Sequence, residues 1–172
     1  IDLAGTYTVT LNVNPTIAGL NLGGSSDTQT LLGANREITI NGPTNIAANG
    51  LLQMTSSNVD GTGTITNDGS VVLLNTATGT TTSIYNRGLL TLRSNTVLNG
   101  PLVTSANSVI RVEGSTAGGP ASVNIVNGFA NEGVLELTST SGHGASLSVL
   151  SGLLANAVNG TIRSVAGSGG GR

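Results

Sequence analysis

The chain has 172 residues, of which only 8% are charged and 2% aromatic, and its net charge is −2. A chain with six basic residues offers no basic surface, which argues against nucleic acid as a partner. The absence of cysteine excludes disulfides and thiolate metal sites. We also expect no membrane span, because no apolar run approaches the roughly 18 residues that one needs.

The first 43 residues predict short strands separated by turns. Residues 5–13 alternate in polarity and predict a strand, and Asn14-Pro15 predicts the turn after it. Residues 16–22 predict a second strand, residues 23–27 a surface loop, and 30–32 and 37–40 two further strands. No stretch of ten or more residues combines helical periodicity with helix caps, so the chain is predicted to be all-β.

From residue 44 onward a motif repeats: a polar turn closed by a small residue, followed by apolar residues two and four places later. The small residues are Gly50, Gly69, Gly88, Ser108, Gly133 and Gly160. Their separations of 19, 19, 20, 25 and 27 residues give a period near twenty, which is typical of a stacked solenoid. We expect each coil to hold three short strands, with the extra residues of the longer coils in outward loops at 116–120 and 140–144.

Aligning the coils on these residues predicts which side chains face the core. Side chains alternate between the two faces of a strand, so positions two and four places after the turn should point inward. The alignment predicts that Leu73, Leu92 and Leu137 are buried and that Leu90 stacks between Val71 and Ile110.

The same alignment places opposite charges on neighbouring coils, about 4.8 Å apart. It predicts that Arg87 lies beside Asp68, Arg93 beside Glu113, and Glu136 between Arg111 and Arg163. Such cross-strand pairs stabilise a sheet by roughly 0.2–1 kcal/mol each. Asn67, Asn86 and Asn131, which precede the turn glycines, are candidates for stacked amide ladders.

Candidate catalytic residues are few in this sequence. His143, the single histidine, has no carboxylate or second histidine near it in sequence and is expected to be an ordinary exposed loop residue. Asp60 with Asp68, and Glu132 with Glu136, are the nearest acid pairs. Four residues of strand span about 13 Å, beyond the roughly 5–9.5 Å that separate glycosidase carboxylates. We therefore expect no catalytic residue, no metal site, no cofactor and no enzymatic activity.

The recurring Asn-x-Gly-aliphatic-Leu-x-Leu pattern at 67–73, 86–92 and 131–137 resembles large bacterial surface β-helix proteins of the filamentous-haemagglutinin and autotransporter-passenger type. The resemblance implies a right-handed parallel β-helix, an extracellular or cell-surface location, and a role as a stalk, adhesin or fibre.

Residues 1–166 are accordingly predicted to form one solenoid segment, and residues 167–172 a flexible glycine-rich tail or linker. Its expected partners are neighbouring repeats of the same chain or other copies stacked end to end, with host or matrix glycans and proteins as further candidates. The alternative function is a carbohydrate-binding or carbohydrate-active β-helix, with its site on the face next to the His143 loop.

Overall fold

A computed structural model describes residues 1–170, which form a parallel β-helix without any helical segment. The chain winds through seven coils of three short strands each and begins an eighth. Every named strand pairs in parallel with the equivalent strand of a neighbouring coil, so the coils stack into three long sheets. The predicted all-β solenoid with three strands per coil is confirmed.

The first sheet contains eight strands, namely β1 (Tyr7–Thr10), β4 (Gln29–Ala34), β7 (Gly50–Thr55), β10 (Ser70–Leu74), β13 (Leu89–Arg93), β16 (Val109–Gly114), β19 (Val134–Ser139) and β22 (Thr161–Ser164). The second sheet contains seven, namely β2 (Thr16–Ile17), β5 (Glu37–Ile40), β8 (Asn58–Asp60), β11 (Ala77–Thr78), β14 (Val97–Leu98), β17 (Ala121–Ile125) and β20 (Ala145–Val149). The third is split into β3 (Leu20–Leu22), β6 (Thr44–Ile46), β9 (Thr64–Asn67), β12 (Ser83–Asn86) and β15 (Leu102–Thr104), followed by the pair β18 (Phe129–Asn131) and β21 (Leu154–Asn156).

The core is built from columns of aliphatic side chains that stack from coil to coil. Leu90 pairs with Val71 on one side and Ile110 on the other, and all three are buried, as the alignment predicts. Leu73 and Leu92 are buried in the next inward column. Because a coil is only three short strands wide, aliphatic residues fill it almost without help from aromatic ones.

Two of the turn glycines show why this position must be small. A Cβ atom at Gly69 would overlap the carbonyl oxygen of Ala47, and one at Gly88 would overlap that of Gly69 itself. The backbones of successive coils therefore approach each other closely where the third sheet turns into the first.

The corner between the first and second sheets is shaped by residues with a left-handed backbone conformation. Asn35, Ser56, Asn75 and Ser94 all have positive φ, between 49° and 53°, on four successive coils. Asn and Ser accept this left-handed conformation more readily than branched residues do. In sequence this signal stands six residues after Gly50, Gly69 and Gly88.

Asparagines form amide ladders along the third sheet, as predicted. Asn67 Nδ2 donates to Asn86 Oδ1 at 2.7 Å, and Asn131 Nδ2 donates to Asn156 Oδ1 at 2.8 Å. Thr104 separates the two ladders, and its hydroxyl bridges the gap by donating to the carbonyl of Ala130 and accepting from the amide of Glu132.

Three details differ from the sequence prediction. Residues 16–22 form two short strands, β2 and β3, because the chain turns a corner at Ala18-Gly19. Regular coils therefore begin at β1 and not near residue 44. Leu137 is half-buried and not buried, because its neighbour in the inward column of β22 is Ser164, which covers it less than a leucine would.

The two inserted loops and the glycine-rich segment can also be placed. Residues 116–120 and 140–144 connect the first sheet to the second in the sixth and seventh coils, as predicted. Gly169 N donates to the carbonyl of Ser139 at 3.2 Å, so the segment predicted as a tail begins along the preceding coil. Residues 171 and 172 of that segment lie outside the described residues.

Candidate functional site

The acid pair Asp60 and Asp68 is not brought together by the fold. Asp60 ends β8 in the second sheet, whereas Asp68 follows β9 at the corner between the third and first sheets, so strand β9 runs between them. The Asp68 carboxylate is hydrogen-bonded and ion-paired to the guanidinium of Arg87 on the next coil. Arg87 also lies over the ring of Tyr85, with its guanidinium carbon 5.5 Å from the ring centroid.

The second acid pair divides between two environments. Glu132 is exposed and borders a small depression of about 220 Å³ together with Ala106, Ala157, Val158 and Asn159. Glu136 lies on the outward face of β19 and is fully engaged: Arg111 Nε donates to Oε1 at 2.9 Å and Arg163 Nη2 donates to Oε2 at 2.6 Å. Glu136 is therefore a structural carboxylate between two arginines.

The stacking of the coils determines the charge environment of the carboxylates on the outward face of the first sheet. Burial of the Glu136 carboxylate works to raise its pKa, but the hydrogen bonds from Arg163 and Arg111 outweigh burial and hold the pKa below its ordinary value. Arg93 makes the equivalent contact with buried Glu113, its Nε donating to Oε1 at 2.7 Å. All of the charge pairs that the alignment predicted are confirmed.

His143 is exposed in the loop that follows β19. Among residues 1–170 its side chain makes no hydrogen bond or ion pair. The same part of the chain contains no group of three His, Cys, Asp or Glu residues placed to hold a metal ion.

An open groove lies at the corner between the first and second sheets, and the sequence analysis did not anticipate it. Its volume is about 420 Å³, and it is lined by Asn35, Arg36, Glu37, Ser56, Ser57, Asn58 and Asn75. These residues come from three successive coils, so they are far apart in sequence and meet only through the stacking. The groove thus gathers amide, hydroxyl and charged side chains around one concave surface.

The outermost strands of the stack form the other candidate surface. β1 and β22 each have a partner on one side only within residues 1–170. Their inward side chains are correspondingly open: Val9 is 37% exposed and Ile162 47%, whereas Leu90 in the same column is 0% exposed. Leu147, Val149 and Leu154 of the seventh coil are also only partly buried.

Comparison of the chain with protein-family models, curated proteins and solved structures gave no match. None of residues 1–170 forms a helix long and apolar enough to cross a membrane.

Proposed function

We propose that the chain is a structural or adhesive segment of an extracellular bacterial surface protein or fibre. The observation that supports this proposal best is the unbroken parallel register of the first sheet, together with the open edges of its two outermost strands. A stack of this kind extends by adding coils without changing direction, which is the mechanical property a stalk or fibre requires.

The open edges also suggest what the segment contacts. Unpaired strand edges with partly exposed aliphatic side chains associate readily with other strands. In the proposed function, each end is covered either by further coils of the same polypeptide or by another copy of this chain. Ile162 at one end of the stack and Val9 at the other occupy the same inward column. Two copies stacked end to end can therefore continue this aliphatic column from one copy into the next.

Sedimentation velocity and light scattering over a range of concentrations test the association of copies. We expect the mean mass to rise with concentration for the native chain. Ile162→Lys, which places a charge on the open edge of β22, should abolish the rise. Val103→Lys is the matched control, because Val103 is an exposed aliphatic residue on β15, within the stack. A native chain that stays monomeric at every concentration would contradict association between copies.

A second candidate function is a carbohydrate-binding or carbohydrate-active solenoid. The corner groove supports it, because amide, hydroxyl and charged groups line one concave surface of suitable size. A glycan array, combined with a polysaccharide-cleavage assay, separates binding from catalysis. Binding without release of products would support a lectin-like role, and cleavage would show an activity that the sequence analysis does not predict.

A further inference from the structure

The corner groove coincides with a coil that lacks a buried hydroxyl found at the same place on the next three coils. On the third, fourth and fifth coils, a residue with a buried side-chain hydroxyl lies one or two places after the positive-φ residue. These residues are Ser57, Thr76 and Thr96. Each donates to a carbonyl of its own turn, at 2.8 Å to Thr55, 3.1 Å to Leu74 and 2.7 Å to Arg93. These hydroxyls close the corner and satisfy buried backbone groups.

Arg36 occupies the equivalent position on the second coil. Glu37 pairs with Asn58, so Arg36 is aligned with Ser57, and its backbone amide donates to the Ser57 hydroxyl at 3.3 Å. An arginine side chain is too long and too polar for this buried position, and Arg36 is exposed beside the groove. A residue that breaks a local rule in an otherwise regular fold is the kind of position where function is expected.

Arg36 also differs from the other described arginines in its ion pairing. Residues 1–170 contain five arginines, and the other four each form an ion pair with a carboxylate on a neighbouring coil. Within the same residues Arg36 has no carboxylate within 4.0 Å. The guanidinium therefore keeps its hydrogen-bonding capacity for a ligand.

The other groove residues complement this cation with groups that bind hydroxyls. The side-chain amides of Asn35 and Asn58 make no hydrogen bond within the part of the chain that the structure describes, and the Glu37 carboxylate accepts none there. The Ser56 hydroxyl accepts only a long bond, 3.4 Å, from Asn75. One cation, one carboxylate and several uncharged donors and acceptors thus face the same space.

We propose that this groove binds an acidic saccharide, in which the carboxylate of a uronic-acid sugar is held by Arg36. A planar guanidinium matches a carboxylate with two parallel hydrogen bonds, and this geometry is stronger than a neutral contact. Glu37 accepts a hydrogen bond from a sugar hydroxyl, and the amides of Asn35 and Asn58 bind the remaining hydroxyls. This inference gives a ligand class to the second candidate function and is independent of association at the coil ends.

Titrations of the ¹⁵N-labelled chain, followed by NMR, test the proposal with a galacturonic-acid disaccharide and with the corresponding uncharged galactose disaccharide. We expect saturable shifts at residues 35–37, 56–58 and 75 with the acidic sugar only. Arg36→Thr should weaken binding roughly tenfold or more, because a charge-assisted contact is lost. Arg87→Gln is the matched control, since it removes an arginine from a different corner, and its binding should equal that of the native chain.

The same variant gives a second readout. Arg36→Thr restores the hydroxyl of the corner column, so its melting temperature should be at least that of the native chain. A folded Arg36→Thr that binds as tightly as the native chain, equal affinity for the two disaccharides, or no saturable shifts with the acidic sugar would each overturn the proposal. None of these results would change the sedimentation behaviour on which the structural role is tested.

Discussion

The middle of the stack and its last coil contain the same kind of side chain in very different surroundings. Leu90 and Ile162 occupy one inward column, yet Leu90 is completely buried and Ile162 is 47% exposed. Both strands place an aliphatic residue at this inward position. In a solenoid, burial therefore depends on having a coil on each side, and pattern alone determines only which side chains point inward.

Charged residues show the reverse trend along the outward face. Asp68 and Arg87, near the middle of the stack, each leave 43% of the side chain exposed, whereas the Glu136 side chain near the end is only 7% exposed. Glu136 lies within strand β19, whereas Asp68 lies in the turn before the first sheet. Glu113, which pairs with a single arginine within strand β16, is only 6% exposed. A place within the first sheet, and not the distance from the end of the stack, therefore sets the exposure of these charges.

The largest effect should come from truncating the core in the middle of the stack. Leu92 is fully buried between Leu73 and Val112, so Leu92→Ala leaves a cavity and should lower the free energy of unfolding by roughly 2–5 kcal/mol. Ile162→Ala is the control and should cost about 1 kcal/mol or less, because half of the side chain is already in water. Urea denaturation measures the loss of unfolding free energy in both variants. Equal losses would show that burial in the middle coil and in the last coil does not differ as the structure indicates.

The asparagine ladder gives the next contrast. Asn86 is buried, accepts from Asn67 and donates to the carbonyl of Val109 at 3.1 Å. Asn86→Ala leaves these buried groups without a partner and should cost about 1–3 kcal/mol. Asn156→Ala removes the exposed member of the other ladder and should cost less, because water replaces the amide. Thermal unfolding of the two variants tests the order, and a larger loss for Asn156→Ala would contradict it.

A smaller effect, dependent on pH, is expected at Glu136. The pKa of Glu136 is lowered in the folded chain. The stability that its carboxylate contributes is therefore fully present above the unfolded pKa of about 4.3 and is lost as the pH falls through the folded pKa. Glu136→Gln should cost about 1 kcal/mol at neutral pH. The difference in unfolding free energy between native chain and variant should then shrink as the pH is lowered below about 4.3. A difference that stays constant down to acid pH would show that the carboxylate charge contributes nothing.

The smallest effect should be found at Asp68. Its ion pair with Arg87 is exposed on both sides, and solvent screens such pairs so that they contribute little to stability. Asp68→Asn should therefore change the midpoint of urea unfolding little, and high salt should remove what difference there is. A loss as large as that of Glu136→Gln would mean that a place within the first sheet does not govern the strength of these charge pairs.

Much of the fold was predictable because two signals repeat in the sequence. The turn glycines and the alternation after them gave the pairing of Leu90 with Val71 and Ile110, and even the pairing of Glu136 with Arg163 across a 27-residue coil. The first two coils were not recognised as coils, because Gln29 occupies the glycine position and Gly33 an aliphatic one. The half-burial of Leu137 depends on its neighbour Ser164 and is not encoded in its own strand.

The groove at Arg36 was not predictable by the same means. The groove residues fall into three groups, one on each of three successive coils, so the groups lie about one coil length apart in sequence. The alignment of the coils did not extend to the turn after the first sheet. The hydroxyl column of Ser57, Thr76 and Thr96 was present in the sequence, but Arg36 became conspicuous only when pairing placed it in that column. Concave shape and free hydrogen-bonding capacity are properties of the folded chain.

Both insertions of the chain leave the stack at one and the same corner. Gly114 and Ser139 are paired, and the loops that follow them lead from the first sheet to the second on adjacent coils. An added segment at this corner displaces no neighbouring strand of the first or second sheet, so length can vary there while these two sheets keep their pairing. For protein engineering, the corner is a natural place to graft two foreign peptides side by side on a rigid support, with a spacing fixed by the stacking of the coils.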